Sequence, residues 1–191
     1  MLGSVIPSSR FLVNRLLGQV DWDRARVVVE YGPGVGTFTA EILRRLRPDG
    51  SLVAFETNRD FVHYLSRTVR DDRLQLVHGS AASAGEVLGA RGLSHADYVI
   101  SGIPYTTMPP ELRDRILRTT RAVLEPSGSF LVYQFTRAVL PYLRRQFGLV
   151  TQEFELRNIM PARLFYCRAH SDRRQTARPR APRVRAAAPD R

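Results

Sequence analysis

Apolar and β-branched residues gather along the chain in five short runs: ARVVVEYG (25–32), GSLVAFET (50–57), RLQLVHG (73–79), ADYVISG (96–102) and GSFLVYQFT (128–136). Between them, more polar stretches carry apolar residues at i, i+3 and i+4 spacing. Thr37, Ile42, Leu43 and Leu46 mark one such stretch, and Leu112, Ile116 and Leu117 another that ends at Val123 and Leu124. Strands and helices that take turns in this way predict βαβ units and a parallel sheet. The first, second and fifth runs are almost continuously apolar, as strands buried on both faces are, so helices are expected on both sides of the sheet. One more helix is predicted over 137–147, with Pro141 near its first turn, where a missing N–H does no harm. LVTQEFELRNI (149–159) and ARLFYCRA (162–169) then flank a Met-Pro turn and predict a closing antiparallel hairpin, for seven strands in all.

Length and composition agree with one soluble α/β unit of 191 residues, 43% hydrophobic and 25% charged. All 29 basic residues are Arg, which reads as codon bias, and the formal net charge is +11. Seven of those arginines lie from Ser171 onward in SDRRQTARPRAPRVRAAAPDR, which has no apolar periodicity. The expected division is therefore a folded domain over 1–169 and a disordered Arg/Pro/Ala-rich tail over 170–191. Cys167 is the one cysteine, which excludes an intrachain disulfide and any cysteine cluster for a metal. His63, His78, His95 and His170 are scattered without ligand spacing, so no metal is expected. No run approaches the roughly 18 apolar residues that span a bilayer. The expected location is the cytoplasm, with contact at the inner membrane face as the alternative.

The first candidate chemistry is Glu30-Tyr31-Gly32-Pro33-Gly34-Val35-Gly36, which leaves a strand and enters a helix. Gly32 and Gly34 let backbone approach a ligand, and the helix after Gly36 offers free N–H groups. The third glycine comes two residues after the second rather than three, which weakens a pyrophosphate reading. Glu30 would repel a pyrophosphate but suits a ligand bearing an ammonium group, such as the methionine moiety of S-adenosylmethionine. Strand two ends in Glu56, where an acidic side chain can accept both ribose hydroxyls. Two acids at two strand ends separate this ligand from a dinucleotide.

With these residues the chain resembles the class I S-adenosylmethionine-dependent methyltransferases from about Val27 to Val132, and the resemblance implies a Rossmann-like sheet and that cofactor. Glu30, Gly32, Gly34, Gly36, Glu56, Thr57 and Ser101 are the expected cofactor contacts, with Ser80 and Ala81 beside the adenine. An Asp is usual in this family where HGSAA places Ser80; Ser80 also fits a helix N-cap, and the two roles are compatible.

Ser101-Gly102-Ile103-Pro104-Tyr105 follows strand four and opens onto the same sheet edge. In adenine N6-methyltransferases of nucleic acid this loop is similar to Asn-x-Pro-Tyr or Asp-x-Pro-Tyr, whose amide or acid holds the target amine while the aromatic ring stacks on the flipped base. Ser101 and Gly102 depart from that pattern. Ser-Gly-x-Pro-aromatic followed by Met-Pro is similar to bacterial phospholipid N-methyltransferases, as are VIPSSRFLVNRLL ahead of strand one, YQFT (133–136) and RNIMPARLFYCR (157–168). Ribosomal RNA adenine dimethyltransferases are a more distant likeness.

The resemblance implies methylation of the amine of phosphatidylethanolamine towards phosphatidylcholine. Tyr105 is the expected catalytic aromatic, its hydroxyl accepting from the amine and its ring holding a methylated ammonium. Ile103 and Pro104 are expected to line the substrate, and Arg10 and Arg137 to meet its phosphate. Ser8 and Ser9 cap a helix over 10–17 or face the cofactor. Relatives commonly carry an amphipathic helix ahead of the Pro-Ser-Ser segment, where this chain has six residues before Pro7. The 137–147 helix and the Arg tail are the alternative membrane contacts. A methyltransferase of a soluble small molecule and an rRNA adenine N6-methyltransferase are the competing readings; no nucleic acid partner is expected under the first choice.

Overall fold

The computed structural model describes residues 9–158 and 160–169. The tail expected over 170–191, together with Ser8 and His170, lies outside the described residues. Seven strands form one sheet: β1 (Val27–Tyr31), β2 (Ser51–Glu56), β3 (Leu74–His78), β4 (Ala96–Ser101), β5 (Leu124–Gln134), β6 (Leu149–Glu155) and β7 (Ala162–Arg168). Their spatial order is β3-β2-β1-β4-β5-β7-β6. The first five are parallel, and β7 runs antiparallel between β5 and β6. The sheet is thus Rossmann-like with a C-terminal antiparallel hairpin. Sequence and structure differ at the fifth strand, which begins at Leu124 because Leu124 pairs with Ala96 before the register shifts ahead of Tyr98–Ser129.

Six helices connect the strands: α1 (Arg10–Leu17), α2 (Thr37–Arg45), α3 (Arg59–Thr68), α4 (Ala84–Ala90), α5 (Pro110–Val123) and α6 (Leu140–Gln146). Ser9 starts α1 by accepting the Leu12 N–H on its hydroxyl, which satisfies one of the free donors of the first turn. Pro110 opens α5 and Pro141 falls in the first turn of α6, where proline is tolerated. The last helix is shorter than the expected 137–147, because residues 137–139 form a turn closed by the Leu140 N–H on the Arg137 carbonyl. Trp22 fixes the loop after α1 by donating its indole N–H to Leu17 O at 3.1 Å.

Alternate residues of the central strands feed two separate cores, which is why their sequences read as unbroken apolar runs. Val28, Leu52, Ile100 and Leu131 pack under α1 and α2, while Val29, Val53, Val99 and Phe130 pack under α4, α5 and α6. Burying these two sets of apolar side chains, the larger under α4, α5 and α6, at about 1.5–3 kcal/mol for each large one before entropy, holds the sheet rigid beneath its loops. The carboxyl ends of β1, β2, β3 and β4 therefore meet at one stiff edge.

Candidate functional site

Two acids stand at that edge. Glu30 precedes the last residue of β1, and the alternation of the strand sends its side chain to the α2 face, opposite Val29 and Tyr31. It is buried, and the Thr39 hydroxyl on α2 donates to its Oε2 at 2.7 Å. Burial raises the Glu30 pKa to about 7; the Thr39 hydrogen bond opposes the rise and the negative charge of Glu56 adds to it. Glu56 ends β2 and accepts two backbone N–H groups, Gly34 on Oε2 at 3.1 Å and Asn58 on Oε1 at 2.8 Å.

Between the acids, the turn after β1 carries positive φ at Gly32 (74°), Gly34 (55°) and Gly36 (84°). Gly34 decides what the turn is for. A Cβ placed there would meet nothing within 4 Å, so its missing side chain opens on free space beside Glu56 rather than on protein. Gly36 is the N-cap of α2 and sits against Leu65, while Gly32 sits against Ile103 of the β4 loop. Thr57, exposed, follows Glu56 at the end of β2, and Ser80 and Ala81 follow β3 at the same edge of the sheet. Ser80 accepts the Ala82 N–H on its hydroxyl and starts the 3₁₀ turn 81–83, so the capping role is present in the structure.

Across the seam between β1 and β4 lies the loop that begins at Ser101. Here the structure corrects one expectation. Tyr105 does not present its ring to the sheet edge: the side chain is fully buried, packs edge-on against Phe130 at 6.4 Å, and its hydroxyl lies 2.9 Å from Ser101 Oγ. The physical reason is the turn at Ile103–Pro104, in which the Tyr105 N–H donates to Ile103 O and folds the chain back into the core. Burial raises the Tyr105 pKa well above its ordinary value, with the Ser101 hydrogen bond opposing. Tyr105 thus locks Ser101 and the strand end, and Ser101, itself buried, has its hydroxyl committed to Tyr105. Pro104, Thr106, Thr107 and Pro109 are the exposed residues of the loop, with Ile103 half-buried.

Three residues that sequence reasoning did not single out hold this site. Thr39 sets the Glu30 carboxyl, and its signal was a polar residue on the apolar face of α2. Gln134, at the end of β5, donates Nε2 to Ile103 O at 2.9 Å and so pins the Ser101 loop. Tyr133 stacks on Phe38 of α2 with ring centroids 4.9 Å apart and lies over Gly102, where a Cβ would land on the Tyr133 phenol. Gly102 is required by that close approach. Both Tyr133 and Gln134 stand inside the YQFT stretch, where their type alone did not reveal their partners.

The two arginines considered for a phosphate are placed apart from the acids. Arg137, exposed, follows the end of β5. Arg10 opens α1 with its guanidinium 5.1 Å from the Phe11 ring centroid, beside the β6–β7 turn to which Ser9 is hydrogen-bonded. A surface recess lined by Pro48, Val69 and residues 70–73 lies at the amino edge of the sheet, away from both acids. Among the described residues no group of three or more His, Cys, Asp and Glu is arranged to hold a metal.

Taken together, the carboxyl edge offers a carboxylate for an ammonium, a second for hydroxyl donors, a side-chain-free approach between them and a pinned loop across the seam. An S-adenosylmethionine-shaped ligand fits this set, since its methionine ammonium and its ribose hydroxyls need acceptors at two separated points. Comparisons with known proteins bear on the same point. Residues 2–138 match the family described as ribosomal RNA adenine dimethylase. An ornithine lipid N-methyltransferase of Singulisphaera acidiphila is 35% identical over 169 residues, 87% of this chain and 88% of that protein. A ribosomal RNA small subunit methyltransferase A of Mycoplasma mycoides is 28% identical over 98 residues, 49% of this chain and 35% of that protein. Among solved structures, human methyltransferase-like protein 13 in complex with SAH superposes with a TM-score of 0.63 at 17% identity, over 85% of this chain and 81% of that one.

Proposed function

Since the chain belongs to the ribosomal RNA adenine dimethylase family of class I S-adenosylmethionine-dependent methyltransferases, we propose that it N-methylates the primary amine of a membrane lipid. The observation that carries this reading is the state of Ser101. Where adenine N6-methyltransferases resemble Asn-x-Pro-Tyr, this chain has a hydroxyl that is buried and bound to Tyr105, so no side chain at that point is left to hold the amine of a base. The near full-length likeness to a lipid N-methyltransferase supports the same choice, whereas the likeness to the rRNA methyltransferase of Mycoplasma mycoides is confined to 49% of the chain.

S-adenosylmethionine supplies a methyl group activated on a sulfonium. Glu30 binds the methionine ammonium, and Glu56 accepts from the ribose hydroxyls once Gly34 and Asn58 share it. Gly32, Gly34 and Gly36 allow the backbone to come close, and Thr57, Ser80 and Ala81 border the adenine, with Ala81 giving its backbone. Across the seam, Ile103 and Pro104 shape the acceptor side, and Gln134 and the Ser101–Tyr105 pair keep that loop in place. An amine attacking a sulfonium methyl needs alignment and a free lone pair, so holding the acceptor in line and letting its proton leave to water are the main tasks of the protein. Arg137 is the candidate for an anionic group of the acceptor near the end of β5.

A lipid amine can come from an ornithine headgroup or from phosphatidylethanolamine, and the chemistry at the nitrogen is the same. The test is mass spectrometry of lipids from a host that makes both and methylates neither, with and without the protein. Added CH₂ increments on either headgroup support the reading and tell the two sources apart. Unchanged lipids together with new methylation of rRNA adenine would transfer the assignment to nucleic acid.

A further inference from the structure

Four of the exposed large apolar residues of the described chain lie around the β6–β7 turn and the start of α1, while Tyr64 (48%) is on α3, Phe135 (41%) follows β5 and Leu149 (37%) begins β6. Leu156 is 68% exposed, Met160 45%, Phe154 42% and Phe11 37%. The first three sit on the β6–β7 hairpin, and Phe11 lies in the first turn of α1. Ser9 joins the two segments, its N–H donating to Asn158 Oδ1 at 2.8 Å and its hydroxyl to Arg157 O at 2.8 Å. Arginines accompany the apolar groups on both sides of the hairpin: on the α1 side Arg157 lies over the Phe11 ring at 4.5 Å, and on the opposite side, where Phe154 points because Glu153 and Glu155 both reach α1, Arg163 lies over the Phe154 ring at 4.9 Å.

The patch is preformed. Buried Glu155 accepts the Arg157 N–H at 2.8 Å and an Arg15 guanidinium N–H at 3.1 Å, while Glu153 takes a second Arg15 N–H at 2.9 Å. These bonds tie the hairpin to α1 and pair Arg15 with Glu153 and Glu155; Arg157 also reaches Glu155 through Nε at 3.3 Å, and Arg10 and Arg163 stand beside the rings of Phe11 and Phe154. Its position also matters. Phe154 pairs with Arg163, which pairs with Gln134, the residue that pins the Ser101 loop, so the patch lies at the same carboxyl edge as the site.

We infer that this edge of the molecule, formed by the turn and both sides of the β6–β7 hairpin with the start of α1, docks on an anionic lipid bilayer and so presents the carboxyl edge of the sheet to its acceptor. The inference rests on the lipid-amine reading and adds the surface by which a lipid is reached. Large aliphatic and aromatic side chains that protrude among arginines fit the boundary between headgroups and acyl chains, with the stems and rings inserted and the guanidinium groups on phosphates. RNA would cover the arginines and stack on Phe11 or Phe154, but it offers nothing apolar to Leu156 and Met160, the two most exposed of the group.

The test uses the full chain and vesicles of phosphatidylglycerol mixed with phosphatidylcholine, with phosphatidylcholine alone for comparison. Wild type is expected to co-sediment with the anionic vesicles, and the L156S/M160S variant to partition about tenfold less while keeping its thermal transition and its affinity for S-adenosylhomocysteine. Equal sedimentation of the two proteins would overturn the inference, because the C-terminal arginines would then suffice. So would no sedimentation of wild type, or tight binding of an RNA hairpin that the variant retains. Methylation of a water-soluble short-chain amino lipid separates the two readings. If wild type methylates it yet ignores vesicles, the function stands and the docking face falls; if vesicle binding depends on Leu156 and Met160 but no lipid amine is ever methylated, the face stands and the acceptor falls.

Discussion

The Thr39 hydroxyl donates to the Glu30 carboxyl at 2.7 Å inside the α2 face of the sheet, two side chains from neighbouring elements that set one acid at the edge of the glycine turn. Because burial lifts Glu30 to about 7, the empty protein holds that acid largely neutral in mildly acidic solution.

A pH dependence follows with a definite sign. A cationic ammonium requires ionised Glu30, so affinity for S-adenosylhomocysteine is expected to fall about tenfold per pH unit below 7, as read by calorimetric titration. Stability runs the other way: the folded pKa lies above the unfolded one of 4.5, so the contribution of Glu30 is intact below 4.5 and is lost as pH rises through 7. Glu30→Gln should therefore be more stable than wild type at pH 8, by roughly 1–3 kcal/mol, while losing the ligand at every pH. A variant that binds normally would remove Glu30 from the ammonium.

Glu56 accepts Gly34 and Asn58 N–H groups in addition to any ribose. Glu56→Ala should weaken S-adenosylhomocysteine on the order of 10- to 100-fold, the range for a lost charge-assisted hydrogen bond. Glu56→Gln, which keeps one acceptor oxygen, should fall between the two. Unchanged titrations for the alanine variant would place the ribose elsewhere.

Tyr105 acts through packing and through Ser101. Tyr105→Phe removes one buried hydroxyl and should cost about 1 kcal/mol in chemical denaturation, with ligand affinity kept. Tyr105→Ala empties a core position next to Phe130 and should cost about 3–5 kcal/mol, with turnover lost alongside stability. Full stability of the alanine variant with turnover alone abolished would restore the ring to the reacting amine.

Gly102 admits the Tyr133 phenol over the backbone. Gly102→Ala should destabilise by about 1–3 kcal/mol and slow methyl transfer, since Tyr133 or the pinned loop must shift. Adding Tyr133→Ala should recover part of the stability, so that the two changes are not additive. Strict additivity in denaturation would mean that the two residues do not press on each other.

The fold was legible because its signals are local and repeated. Continuous apolar runs at β1, β2 and β5 announced strands buried on both faces, and the Met-Pro turn announced the hairpin. The acids at 30 and 56 stood out for a related reason, a charge at the end of an apolar strand, while the bonds that hold them, from Thr39 and from the Gly34 and Asn58 N–H groups, did not. What stayed hidden depends on direction in space. Tyr105 beside a proline at a strand end looks like a ring offered to a ligand, yet one turn at Ile103–Pro104 sends it inward. Gln134 and Thr39 are ordinary polar residues until their partners, 31 and 9 positions away, are known. Phe154 and Leu156 alternate with Glu153, Glu155 and Arg157, as in any half-buried strand, so their exposure could be learned only from the sheet.

The strand order β3-β2-β1-β4-β5-β7-β6 has a genetic corollary. Glu30, Glu56 and Ser80 all come from the first 81 residues and stand on one flank of the β1–β4 seam, while Ser101, Gln134 and the hairpin come later and stand on the other. A crossover near the α4–β4 connection would swap one flank and leave the other intact. Recombination there exchanges the Ser101 loop and the hairpin together, and keeps the acids at 30 and 56 with the first half of the chain.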